Sequence, residues 1–385
     1  MKFLARSYNG NFPHFLDASL QKSLQKCNSE IDIGQKTDVN AKQYIKCLQE
    51  VLRLDSLPSN TSQQNISRTS SSEFYTTTMS VLERLDNKEL MNISRQAIKE
   101  ISVEELQAIH YPGVDAHVRN WKFSLDFSNC SSEPLDLVIL VPSAPGGYMA
   151  REIVRNTWGS REDLQQLKAK LYFVIGQTPK QQPEVREMIE KESRIFHDVV
   201  QLDMIDSYHN LTLKTVGMLE WAVKHCQSAK FIAKIDDDVM VNFTKVIPLL
   251  HEMASQHIRF ITGSLRRKGK PLDFSKWRDP IYEALYHSNK YPHFIAGPGY
   301  LMTNNFIDEL LAVSRSKPFL HLEDVFITGI CAREVNGLKK LMLPGISFKR
   351  PSPCQLRKYN IILAHDYQVK RRQQVWTRWH TELCH

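Results

Sequence analysis

Three consecutive carboxylates, Asp236-Asp237-Asp238, directly follow the apolar run Phe231-Ile232-Ala233-Lys234-Ile235. A strand that ends in a cluster of negative charge presents oxygen ligands at the carboxyl edge of a sheet, where open α/β sheets hold their ligands. Oxygen-only, partly filled coordination suits magnesium or manganese shared with substrate phosphates, and the Asp-x-Asp spacing turns Asp236 and Asp238 to the same side. The competing reading is a solvated acidic turn, and the triplet alone does not choose between them.

Other segments carry residue types suited to the same chemistry. Arg151 and Arg155, in Arg151-Glu152-Ile153-Val154-Arg155-Asn156-Thr157-Trp158-Gly159, stand one helical turn apart. Such a pair suits a diphosphate clamp or, more blandly, a solvated basic stripe with Trp158 in the core. In Ala296-Gly297-Pro298-Gly299-Tyr300 two glycines flank a proline, which permits close backbone approach to a ligand, or a structural turn. In His321-Leu322-Glu323-Asp324-Val325-Phe326 adjacent carboxylates precede an apolar stretch read as a helix. One of the pair suits a general base, although a Glu-Asp dipeptide there is more often a helix cap.

These side chains need a scaffold, and the pattern from Leu135 onward supplies one. Leu135 to Val141 reads as a buried strand ending at a tight loop, Pro142-Ser143-Ala144-Pro145-Gly146-Gly147. Ala150 to Trp158 reads as a helix, Leu171 to Ile175 as a strand closed by Gly176, and Leu211 to Cys226 as the helix feeding the strand before the aspartates. Strands alternating with helices imply a mainly parallel sheet covered on both faces. Residues up to about Tyr111 are polar, with a Ser/Thr/Asn/Gln-rich tract from Ser59 through Thr78 and short helical patterns near Asn40 to Leu54 and Ser80 to Ile101. That is the composition of a stem or linker.

The 385 residues are 42% hydrophobic and carry a formal charge of +8, which excludes a disordered chain and favours anionic partners. The late basic residues from Lys349 to Arg378, with Trp376 and Trp379 interleaved, accompany no nucleic-acid module, so no nucleic-acid partner is expected. Seven cysteines show no CxxC pair or zinc spacing. Six Asn-x-Ser/Thr sequons, at Asn60, Asn65, Asn92, Asn129, Asn210 and Asn242, lean toward the secretory pathway. Against that, the first residues are too polar for a signal peptide, and the longest clean apolar run, Leu137 to Val141, is far short of the ~20 residues of a membrane helix. Either this is an incomplete version of a membrane-anchored protein or the sequons go unused.

The ordered set of Arg151 to Gly159, Ser207 to Thr215, Ala229 through Lys234-Ile235-Asp236-Asp237-Asp238-Val239, Ala296 to Tyr300 and Glu323-Asp324-Val325-Phe326 resembles the β1,3-galactosyltransferase family, over roughly Leu135 to Trp379. The family includes β1,3-N-acetylglucosaminyltransferases and, more distantly, Fringe proteins. The resemblance implies a GT-A-type nucleotide-sugar transferase fold, with a stem over residues 1–115 and a catalytic domain over 116–385. It implies a type II Golgi membrane enzyme with a lumenal catalytic domain, a UDP-sugar donor, manganese and an acceptor glycan on protein or lipid. Asp236, Asp237 and Asp238 then map onto the metal and diphosphate motif, Asp238 as the firmest ligand, with His365 completing the metal site. Asp324 maps onto the catalytic base of an inverting transfer of galactose or an N-acetylhexosamine to a 3-hydroxyl. Arg151 and Arg155 would add charge near the diphosphate, and Cys226, Cys331 and Cys354 would join disulfides. Met240 and Thr328 depart from the commonest family pattern without removing a carboxylate. A non-catalytic glycan-binding or chaperone member of the same fold is the alternative.

Overall fold

The computed structural model describes residues 107, 121–126, 130, 134–178, 182–267, 282–365 and 367–381. The expected stem over residues 1–115, with its short helical patterns, lies outside them apart from Gln107. The strands, in chain order, are β1 (Phe123–Leu125), β2 (Leu137–Pro142), β3 (Ala169–Gln177), β4 (Val199–Ile205), β5 (Phe231–Ile235), β6 (Met240–Val241), β7 (Phe260–Arg266), β8 (Phe294–Thr303), β9 (Lys339–Met342), β10 (Ile346–Ser347) and β11 (Leu363–Ala364). The helices that position the site are α1 (Tyr148–Arg155), α2 (Pro183–Phe196), α3 (Leu211–His225), α4 (Phe243–Gln256) and α5 (Val369–Thr381).

The large sheet runs β1-β4-β3-β2-β5-β8-β7-β9. It is parallel through β4-β3-β2-β5, as the alternating pattern predicts. Beyond β5 it turns antiparallel, to β8 and then to β7. Every residue of β2 is buried, because helices cover both faces. On one face Leu137, Ile139 and Val141 pack with Val154 and Trp158 after α1 and with Val246 and Leu250 of α4. On the other, Tyr172 of β3 meets Trp221 of α3 edge-on, ring centroids 4.7 Å apart. Each fully buried aliphatic of this kind contributes roughly 1.5–3 kcal/mol.

A second, three-stranded sheet in the order β10-β11-β6 sits just past the aspartates. There Met240 pairs with Ala364 and Val241 with Leu363, antiparallel, which brings the residue after β11 back beside the residues before β6.

Some elements differ from the sequence expectation. The first helix covers Tyr148–Arg155, starting earlier and ending sooner than the predicted Ala150 to Trp158. Gly176 lies inside β3 rather than closing it, and its N–H donates to the Asp206 carboxylate at 2.7 Å. Gly297-Pro298-Gly299 forms no turn; it is the middle of β8, and the positive-φ glycines are Gly337 and Gly345. A Cβ at position 299 would lie 2.8 Å from Leu363 and 3.0 Å from Ile235, so the glycine admits close packing of β8 on its neighbours. The helix after Asp324 is a π-helix, Val325–Cys331. Thr328, set in that apolar stretch, donates to the Asp324 carbonyl at 2.6 Å and accepts from the Ile295 N–H at 2.8 Å, locking the π-helix to β8.

Of the cysteines expected to be bonded, Cys226 pairs with Cys130 and Cys354 is also in a disulfide, but Cys331 is a free, buried thiol. Cys331 sits among the apolar side chains of the π-helix, where burial pushes its thiol pKa up. The Cys130–Cys226 bridge, 96 residues apart in sequence, ties the chain before β2 to the end of α3. Replacing Cys226 by Ser should lower unfolding stability by about 3 kcal/mol in urea titrations; an unchanged midpoint would show that this bridge contributes no stability.

Candidate active site

The carboxyl ends of β2 and β5 lie side by side, and the loop after β2 meets the aspartates after β5. Ser143 Oγ donates to Asp237 Oδ2 at 2.7 Å. Arg151 holds that loop from beneath. Its guanidinium donates to Ser143 Oγ at 3.3 Å, to the Ala144 carbonyl at 2.6 Å and to the Pro145 carbonyl at 3.2 Å, while pairing bidentately with Glu192 of α2 at 2.8 and 2.6 Å. Arg155 pairs with Asp198 at 2.7 Å and Glu192 at 2.7 Å and stacks over Phe173 and Phe196.

Of the pair expected near the diphosphate, Arg151 is 1% exposed and braces the loop while paired with Glu192. Arg155 pairs with Glu192 and Asp198, and its Nη1 is buried without a hydrogen-bond partner. Trp158, 4% exposed, packs in the core and donates to the Val239 carbonyl at 2.7 Å, anchoring the chain just past the triplet.

Two cations do reach the triplet, Lys234, paired with Asp236, and Arg372 of α5. Arg372 donates to the Asp237 carbonyl at 2.6 Å and to the Tyr367 carbonyl at 2.9 Å. Lys214 of α3 approaches from the other side, bonding the Ser143 carbonyl at 3.1 Å and the Asp206 carboxylate at 2.7 Å.

The three aspartates occupy three different environments. Asp236 Oδ1 takes an ion pair from Lys234 at 2.6 Å, and its N–H donates to the Pro298 carbonyl of β8. Burial pushes the Asp237 carboxyl up, against the Ser143 hydrogen bond, and the neighbouring Asp238 and Asp236 charges add to that rise. Asp238 Oδ2 lies 3.2 Å from His365 Nε2, the contact made by the antiparallel β6–β11 pairing. Burial works to raise the Asp238 carboxyl, but His365, then Arg372 and Lys234, outweigh it and hold the pKa below the ordinary aspartate value.

Asp238 Oδ1 is buried without a hydrogen-bond partner. An orphaned carboxylate oxygen beside an imidazole makes a mixed oxygen and nitrogen donor pair, chemistry that fits a divalent cation such as manganese. Among the described residues no three or more His, Cys, Asp or Glu side chains are gathered as a metal cluster. The protein supplies the pair Asp238 and His365, with Asp236 turned partly toward Lys234.

Asp324 stands across β8 from the triplet. Its Oδ2 accepts the Gly297 N–H and its Oδ1 the Val325 N–H, both at 2.9 Å. A Cβ at position 297 would meet Asp324 Oδ2 at 3.4 Å, an ordinary van der Waals contact, so strand and carboxylate are packed directly together. Burial raises the Asp324 pKa, and the two backbone bonds and Lys234 offset only part of that rise. Glu323 is 4% exposed, accepts from Tyr300 Oη at 2.5 Å and faces Lys234 at 3.4 Å; burial pushes its pKa up to about 7.

Asp236, Asp237, Asp238, His365 and Asp324 are thus brought to one end of the sheet, while Arg151 and Arg155 lie beneath it. Ser143, Arg372 and above all Lys234 were not singled out from sequence. Lys234 carried a usable signal: it is the lone charge in an otherwise apolar strand, and a buried charge must be paired.

The galactosyltransferase family model matches residues 149–339, which contain the triplet, β8 and Asp324. Over 251 residues the chain is 32% identical to Beta-1,3-galactosyltransferase 1 of Homo sapiens, covering 65% of this chain and 75% of that protein. It is 34% identical over 255 residues to Beta-1,3-galactosyltransferase 5 of Gorilla gorilla gorilla, covering 65% and 83%. Identity at that level, across three quarters or more of each relative, means that the chain belongs to the galactosyltransferase family.

Proposed function

We propose that the chain is an inverting hexosyltransferase that moves galactose or an N-acetylhexosamine from a UDP-sugar to the 3-hydroxyl of an acceptor glycan, forming a β1,3 linkage. One observation carries the reading: Asp324, half-buried next to the buried Glu323, is held by two backbone N–H groups across one strand from a donor-side cluster containing Asp238 and His365. Each Asp324 oxygen spends one lone pair on the backbone and keeps another for the acceptor.

In the transfer Asp324 takes the proton of the acceptor 3-hydroxyl as that oxygen bonds to C1 of the donor sugar. The C1–O bond to UDP breaks on the opposite face, and UDP leaves with the electron pair. Glu323 is unsuited to the proton transfer, because both its oxygens are turned inward to Tyr300 and Lys234. Asp238 and His365, with the second oxygen of Asp236, would hold a divalent cation, and Asp237 with Ser143 would shape the loop against the diphosphate. Such a cation, manganese by family resemblance, supplies Lewis-acid charge that stabilises the departing diphosphate. Arg372 adds fixed positive charge on the same side.

A secretory lumen is the matching compartment: the Cys130–Cys226 bridge needs an oxidising environment, and the relatives' family acts on glycans. No helix among the described residues is long and apolar enough to cross a membrane, so Golgi membrane attachment is proposed from the family alone.

Asp324→Asn should cut transfer by about a thousandfold while leaving UDP affinity within a few-fold of wild type; transfer near the wild-type rate would remove Asp324 as the base. In calorimetry, Asp238→Ala should weaken manganese-dependent UDP binding at least about tenfold, and equal affinity in both proteins would refute the ligand assignment. Because burial raises the Asp324 pKa and the base must be ionised, kcat/KM should fall on the acid side at a pH above the ordinary aspartate value of 3.8. A profile flat to below that value would contradict the assignment.

A further inference from the structure

We propose that Lys234 is a positioning residue for the transfer, a fixed cation that ties the donor-side carboxylate Asp236 to the base Asp324 through the Gly297 peptide. The proposal rests on the inverting-transfer reading and adds to it the element that keeps the two halves of the site in register.

Lys234 lies in the middle of β5, the strand that joins the parallel half of the sheet to the antiparallel half, and is 1% exposed. Its ammonium pairs with Asp236 Oδ1 at 2.6 Å, donates to the Gly297 carbonyl at 2.7 Å and lies 3.4 Å from Glu323 Oε2. Buried among these groups it does not reach substrate. Lys234 therefore acts through other groups.

The path from it to the base is short. The Gly297 residue whose carbonyl accepts from Lys234 donates its own N–H to Asp324 Oδ2 at 2.9 Å. The partner that balances the charge, Glu323, is the neighbour of Asp324 in the chain and is itself fixed by Tyr300 of β8. Core packing alone would be served by methionine or leucine at this position, since a buried ion pair is seldom worth more than well-packed apolar atoms. The lysine is explained by what it orients: two carboxylates that approach the donor and acceptor from opposite sides of β8.

The charged and titratable groups around Asp324 are Lys234 and Asp236 on the β5 side, Glu323 beside it, Tyr300 on β8 and Tyr208 on the loop before α3. Lys234 lowers the Asp324 pKa against burial, whereas Glu323, pushed up to about 7, is neutral on the acid side and adds no charge there. The two residues consequently predict different effects. Lys234→Met should reduce kcat about a hundredfold and move the acid limb of kcat/KM upward by the order of one pH unit. Glu323→Gln, which replaces one neutral hydrogen-bonding side chain by another, should leave that limb in place.

The experiment is a pH profile of UDP-sugar transfer for wild type and both variants, with rates normalised to the folded fraction from thermal melts, and with Asp324→Asn alongside. An upward limb in Lys234→Met beside an unmoved limb in Glu323→Gln supports the proposal. A Lys234→Met limb that does not move, or both limbs rising together, overturns it and leaves Lys234 with a structural role only. Should Lys234→Met fail to fold, Lys234→Gln takes its place, with the same upward limb expected and an unmoved limb again overturning the proposal. Transfer surviving in Asp324→Asn would instead remove the base assignment, a result separable from either outcome.

Discussion

An ammonium group that is 1% exposed at the centre of a sheet must find its counter-charges inside the protein, and the arrangement around Lys234 follows from that need. Asp236 and Glu323 come from segments almost ninety residues apart, and the Gly297 carbonyl comes from the strand between them. Bringing these groups to one nitrogen fixes β5, β8 and the start of the π-helix relative to one another. The same closure sets Asp324 against β8, where it accepts the Gly297 N–H.

Positive charge is layered at this end of the sheet. Arg151 and Lys214, both buried, hold the loop after β2 by its carbonyls, and that loop in turn bonds Asp237 through Ser143. Arg372 arrives from the end of the chain and grips the Asp237 backbone. The carboxylates are thus held at both backbone and side chain. Fixed dipoles and charges of this kind stabilise developing charge without reorganising during the reaction, which is the usual source of catalytic power in such sites.

Much of this was legible in the residues. The strand before the aspartates and the helix feeding it lie where periodicity places them, Phe231–Ile235 and Leu211–His225. The role of Trp158 as a core residue followed from its size. Spacing puts Arg151 and Arg155 on one face without saying whether that face is wet; here it faces Glu192 and Asp198. Gly297-Pro298-Gly299 left both a close approach and a turn open. It is strand, and Gly299 is where a Cβ would crowd Leu363 and Ile235. The free thiol of Cys331 had no signal in spacing, since only the fold decides which sulfurs meet.

By itself the sequence determined the α/β class, the acidic triplet at a strand's end and the identity of the carboxylates, because hydrophobic period and residue type are local properties. His365 entered through family resemblance, and only the antiparallel pairing of β11 with β6 brought it to 3.2 Å from Asp238. Tertiary structure also decided that Asp324 is less buried than Glu323, and that Lys234 stands between Asp236 and Glu323. Those outcomes depend on burial and on partners distant in the chain, and no window of residues contains both ends of such a contact.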